Sequence, residues 1–180
     1  MFEVKMLDAP CADPVCCCCA FFYPWCSIPT IFMLRKKYLD ASGDEYTCCQ
    51  SKFAGCCCIK PGKVGEKTCP CLCQCLESCI FPFIAMSSTR YATMDHYQIG
   101  SDEQDRQILR VEQYCQMCAC ACRILAMCFK EFKEASHYMS LAANTFSACV
   151  CGCMAAQVNI ELKKRGGGGG NKLTSVSPGR

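Results

Sequence analysis

The residues in this chain with chemistry to offer are cysteines, 24 of them among 180 residues. Two triplets at the spacing C-x-C-x-C, Cys118-x-Cys120-x-Cys122 and Cys149-x-Cys151-x-Cys153, lie within 102–165. If that stretch doubles back near Glu134, Cys115 comes level with Cys153 and Cys118 with Cys149, which puts four thiols in one layer. Four thiolates suit zinc, which takes short tetrahedral bonds and offsets their charge. Packing is the competing and simpler reading of this layer, because a free cysteine behaves as a small hydrophobe and lets helices approach. A second set is Cys69, Cys71, Cys73 and Cys75, with Cys48-Cys49 and Cys56-Cys57-Cys58 upstream. Short loops can turn several sulfurs inward at once, so this region is read as a structural metal site. The spacing is not a pair of C-x-x-C motifs, and the ligand list stays open. A third set, Cys16, Cys17, Cys18 and Cys19, is read as S-acylation positions.

The elements that must position these thiols are read from periodicity. Ile108, Val111, Cys115, Cys118, Cys122, Leu125, Phe129 and Phe132 step by three and four, as one stripe of a helix does. Ala142, Phe146, Cys149, Cys153, Ala156 and Ile160 repeat the pattern. The two stripes are expected to face each other in an antiparallel αα-hairpin, leaving Cys120 and Cys151 off the seam. Ser101 with Gln104 reads as a capping box, and Asp102, Glu103 and Asp105 favour the first turn through the helix dipole. Arg110, Glu112 and Arg123 argue against a plain lipid-facing span. The second helix has no formal charge from Ala135 to Ile160, enough to cross a bilayer or to pack on protein. Lys163, Lys164 and Arg165 suit its C-terminus and anionic headgroups alike.

Towards the N-terminus, Val15 to Leu34 carries no charge and holds Phe21, Phe22, Tyr23 and Trp25, with Arg35, Lys36 and Lys37 following at once. Its length meets that of a bilayer span, but Pro24 and Pro29 oppose one. It is read as a membrane-surface segment anchored by acylated cysteines beside the basic triplet, with a buried aromatic segment as the alternative. Leu39 to Lys67 reads as irregular and solvated. Cys69 to Met86 is apolar except for Glu77 and is interrupted by Pro70 and Pro82, so Glu77 is read as a solvated edge, with a paired group, or in a membrane a functional acid, as the alternatives. Residues 87–100 read as a polar connector containing His96, taken as a solvated loop histidine. His137 lies near the turn.

Residues 1–14 lack a basic start followed by an apolar core, so the reading is of a reduced, cytosol-facing chain, not a secreted disulfide lattice. The formal net charge of +3 comes with no basic stripe interleaved with aromatics, which points away from nucleic acid. No phosphate-cradling glycine loop is present, and neither histidine is placed beside a cysteine nucleophile. Cys115-Gln116-Met117-Cys118 matches a redox spacing without the preceding strand. The chain is therefore read as no enzyme.

Several stretches together resemble the cysteine-rich family named for the placenta-specific eight protein, which includes cornifelin, plant cadmium-resistance proteins and cell-number regulators. The similarity is closest to an uncharacterised plant and protist branch. It is carried by Tyr46-Thr47-Cys48-Cys49-Gln50, Gly65-Glu66 with Cys69-Pro70 and Leu72-Cys73, Glu77, Ser88-Thr89-Arg90, Met94-Asp95-His96-Tyr97, and Cys153-Met154 with Gln157. The resemblance implies a membrane-associated protein, with metal tolerance, transport and growth control among relatives. The family's CC-x4/5-CPC core does not occur at that spacing, so transport is not carried over.

The expectation is thus a mostly α fold: an N-terminal extension (1–14), one cysteine-rich domain (15–165) with an irregular half (15–100) packed on a hairpin (101–165), and a disordered tail (166–180). Its expected function is non-enzymatic binding of a zinc-like ion by clustered thiolates at the cytoplasmic face of a membrane. Alternatives are an acylated scaffold, a cytosolic protein, and divalent-ion transport by a homo-oligomer. Membrane lipids are the expected partner.

Overall fold

One long helix, α7 (Lys133–Gly166), is the axis on which the other elements are assembled. The computed structural model describes residues 1–22, 26–52 and 66–166, which form seven α-helices, two 3-10 turns and no strand. The others are α1 (Ala9–Ala12), α2 (Pro14–Phe21), α3 (Ser27–Ser42), α4 (Pro70–Ile80), α5 (Pro82–His96) and α6 (Glu103–Cys128). Tyr23, Pro24, Trp25, the Cys56-Cys57-Cys58 triplet and the tail from Gly167 lie outside the described residues.

The fold is mostly helical, as expected, but the N-terminal half is not irregular where it is described. Proline sits in the first turn of α1, α2, α4 and α5, where its missing N–H costs nothing and its fixed φ favours helix. Pro70 and Pro82, read as breakers, are starters. Phe81 between α4 and α5 turns the chain by 119°. Asp13 caps α2 by accepting from the Cys16 N–H, and Gly43, at φ 73°, closes α3 in the left-handed region. Much of the stretch expected as a connector lies inside α5: residues 87–90 and 92–94 are buried, Ser88, Thr89 and Thr93 fully so, while Tyr91 is exposed. Residues 1–14 are docked on the body: Met6 and Ala9 are buried, and the Met6 N–H donates to Asp105.

The core lies around the C-terminal half of α7. Met154, Ala155, Ala156 and Val158 have no exposed surface, and α1, α2, α3, α5 and α6 all touch this helix. Small side chains make such enclosure feasible. At Gly152 an added Cβ would stand 2.7 Å from the Cys17 carbonyl oxygen, so α2 crosses α7 at a distance only glycine permits.

α6 and α7 run antiparallel. Arg123 donates to Ser140 (2.9 Å) and Gln116 to Ser147 (2.6 Å), so residues advancing on one helix meet residues receding on the other. The chain reverses at Phe129–Phe132, earlier than Glu134, and this displaces the facing register by about one helical turn. The seam differs from the expected stripe. On α6 it follows Asp105, Glu112, Gln116 and Ala119, while Val111 and Cys118 are exposed. On α7 it follows Ser136, Ser140, Ala143, Ser147 and Val150, a step of four and three. Small and hydrogen-bonding residues, not the bulky apolar ones, hold these helices together. The Ser101 capping box is also absent: Asp102 is the first flanking residue, and Gln104 accepts from Lys5.

Candidate metal centre

The Cys69, Cys71, Cys73 and Cys75 set lies along α4, not in a loop. Alternate residues of a helix point to opposite sides, so i, i+2 spacing spreads the sulfurs around the cylinder. Cys71 and Cys75 are exposed, and Cys75 neighbours Cys79 one turn on. The hairpin layer also fails to converge. Cys115 is half-buried and Cys118 exposed, while Cys153 faces α2, where its sulfur meets that of Cys17 with Cys149 nearby. The displaced α6–α7 register is the physical reason. Burial pushes the thiols of Cys16, Cys151 and Cys153 up to about 12, so these sulfurs are neutral packing groups. Cys151, expected off the seam, is among the most buried of the cysteines.

Three ligand atoms come together elsewhere. Among the described residues, Cys48, Cys49 and Glu77 form the group of three whose ligand atoms all lie within 4.8 Å of one another. The two sulfurs are 4.0 Å apart. Two sulfurs bound at 2.3 Å to one tetrahedral ion stand about 3.8 Å apart, so little movement is needed.

The backbone explains the convergence. Cys49, Gln50 and Ser51 have φ of 51°, 46° and 55°, three consecutive non-glycine residues in the left-handed region. Each such residue costs on the order of 1–2 kcal/mol, so the surrounding contacts must impose the turn. Those contacts are visible. The Cys49 N–H donates to Glu77 Oε2 (3.1 Å), the Cys48 N–H donates to Glu66 Oε1, and the Tyr46 hydroxyl donates to Glu77 Oε2 (2.8 Å).

Glu77 is not a solvated edge but a buried anion held by Arg35. Arg35 Nη1 donates to Glu77 Oε2 (3.0 Å), Nε to Thr89 (2.8 Å), and Nη2 to the Ala85 carbonyl (2.6 Å) and to Ser88. Glu77 Oε1 lies 2.9 Å from the same Arg35 nitrogen, yet no donor hydrogen is directed at it. It therefore retains lone pairs that no hydrogen bond uses. Glu66 Oε2 is likewise buried without a donor.

Charge fits a divalent ion. Arg35 already balances Glu77, so two thiolates would offset an ion of charge two, and Glu66, buried alongside, adds one further carboxylate to the site. Without an ion the thiols stay protonated: burial, then the Glu77 charge, pushes Cys49 up to about 12 and raises Cys48 as well. A metal ion could enter such a group only by displacing those protons.

A second buried ion pair braces the neighbouring side of α5. Arg90 Nη2 donates to Asp105 Oδ2 (2.7 Å) and Nε to Gln157 (3.2 Å), while Gln157 also donates to Asp105 (3.0 Å). Asp105 thus serves a tertiary partner as well as the first turn of α6. His96 is exposed as expected, but it ends α5 and sits edge-on to Tyr38 and Tyr97. Of the acylation set, Cys16 is buried, Cys17 and Cys19 are half-buried and Cys18 is exposed, so acylation at Cys16 is at odds with the fold.

Reading the sequence missed Glu77 and Arg35 as partners. The available signal was one lone acid inside one apolar run and a base ending another. Compared with protein-family models, with curated proteins and with solved structures, the chain finds a match in none. Fold and site together define a cysteine-rich helical protein with a thiol–carboxylate group that could hold a metal ion and, among the described residues, one helix, within Lys130–Arg165, long and apolar enough to cross a membrane.

Proposed function

We propose that the protein is a non-enzymatic binder of a soft divalent metal ion, zinc-like in preference, held by Cys48, Cys49 and Glu77. The observation that carries this reading is the convergence of two sulfurs on a left-handed turn with the buried carboxylate of Glu77 from α4. The ligand turn is also the Tyr46-Thr47-Cys48-Cys49-Gln50 stretch on which the family resemblance rests, and that resemblance supports a soft metal. Glu66 is the nearest additional carboxylate for a fourth position. Native mass spectrometry under reducing conditions tests this. One bound ion is expected in the parent chain, lost in the Cys48→Ser/Cys49→Ser pair and kept in Cys71→Ser/Cys75→Ser. An apo mass after incubation with zinc, with helicity indifferent to chelation, removes metal from the account.

Membrane association at a cytoplasmic face is proposed beside it. Cys18 is exposed next to Val15 and Phe22, an apolar patch where a thioester would meet lipid. At the far end of the hairpin, Met127, Phe129 and Phe132 are exposed beside Arg123, Lys130 and Lys133, which complement anionic headgroups. Cell fractionation before and after hydroxylamine separates the two attachments: release into the soluble fraction is expected if Cys18 carries the anchor.

A further inference from the structure

A cleft of about 610 Å³ opens between the end of α2, the start of α5 and the α6–α7 seam, remote in sequence from Cys48 and Cys49. Its volume is that of an ordinary small-molecule site. Phe21, Phe81, Phe83 and Ile84 supply apolar wall, and Ser27, Glu112, Gln116 and Ser147 supply polar groups. Glu112 is only 5% exposed. Gln116 Nε2 donates to the Ser147 hydroxyl (2.6 Å), which in turn donates to Glu112 Oε1, so the carboxylate is oriented by a relay from both helices.

Two features of this cleft lack a counterpart inside the fold. Glu77, Asp105 and Glu161 are comparably buried and each has an arginine, while Glu66, also buried, is held by the Cys48 N–H. Among the described residues no lysine, arginine or histidine nitrogen lies within 4 Å of Glu112. The Ser27 hydroxyl lines the same cleft, is 1% exposed, and has no hydrogen-bond partner. A buried carboxylate without a cation is costly, and a buried hydroxyl without a partner adds to the cost. A cation supplied from outside would relieve the first, and phenyl faces beside it would add a cation–π attraction.

We infer that the cleft binds a small amphipathic organic cation, an ammonium group seated on Glu112 and Ser147 with an aromatic or alkyl body between Phe21, Phe81 and Phe83. The site is independent of the metal centre. Dansylcadaverine serves as probe, with the N-pentyl dansylamide of the same body and no amine as its control. Saturable binding with blue-shifted emission is expected, with the amine preferred about tenfold or more, the scale of one charge-assisted hydrogen bond. Glu112→Gln should abolish the preference by weakening the amine alone, with an unchanged far-ultraviolet spectrum. Ala148→Phe, which fills the cleft, should weaken both probes. Equal affinity of the two probes for the parent chain, preference surviving in Glu112→Gln, or binding indifferent to Ala148→Phe would each overturn the assignment, and the first and last do not depend on how Glu112→Gln folds.

Discussion

At Cys49 the fold holds a thiol whose pKa is pushed up to about 12, chiefly by burial and next by the Glu77 charge. Metal binding must displace that proton and the one on Cys48. Apparent affinity is therefore expected to rise with pH, by up to about 100-fold per unit while both thiols are protonated, and competition with a chromophoric chelator at several pH values near neutrality checks the slope. Arg35 shows the complementary dependence. Arg35→Met strands a buried Glu77, and the expected loss is about 3–5 kcal/mol by urea denaturation. The double change Arg35→Met/Glu77→Met should recover much of that stability while the ion stays lost. This outcome separates the ligand role of Glu77 from its structural one.

At the scale of elements, chain crossings are set by what is missing from side chains. Gly152→Ala places a methyl group against the Cys17 backbone, and a loss of about 1–3 kcal/mol is expected by thermal denaturation. Gly100→Ala meets open space and serves as the near-neutral control. In the ligand turn, Ser51→Gly relieves a left-handed φ of 55° and should stabilise by roughly 0.5 kcal/mol without altering metal stoichiometry. The helices from Asp102 onward were legible because three- and four-residue steps survive in α6 and α7. Their facing sides were not, because Glu112, Gln116 and Ser147 look like solvent residues and only their mutual hydrogen bonds make them a seam. For the same reason Ser88-Thr89-Arg90 read as a connector: a buried polar run is recognisable only once Arg35 and Asp105 arrive to satisfy it. The vicinal Cys48-Cys49 pair was visible as letters, but its convergence depends on a handedness that no periodicity encodes.

Over the whole molecule, buried thiols tie stability to alkaline pH. Cys16, Cys49, Cys151 and Cys153 move from 9.0 to about 12 on folding. Neutral thiols are kept in both states below pH 9.0, so their contribution is intact there. Above it the unfolded chain ionises first and the contribution drains away as pH climbs towards 12. The urea midpoint is expected to be flat near neutrality and to fall progressively above about pH 9.5. The exposed end of the hairpin makes a separate statement about surroundings. Replacing Met127 and Phe129, 80% and 56% exposed, with glutamate should lower sedimentation with anionic vesicles while leaving helicity unchanged.

The reversed screw sense of the backbone at Cys49, Gln50 and Ser51 has a consequence for excised fragments. A synthetic heptapeptide covering 46–52 keeps both thiols but has neither Glu77 nor any partner to wind it against its chirality. In solution it would sample right-handed and extended shapes, and it would chelate no better than a flexible dithiol. The difference between its affinity and that of the intact chain measures how much of the ion's grip is mechanical, stored in the tertiary frame instead of in two adjacent letters.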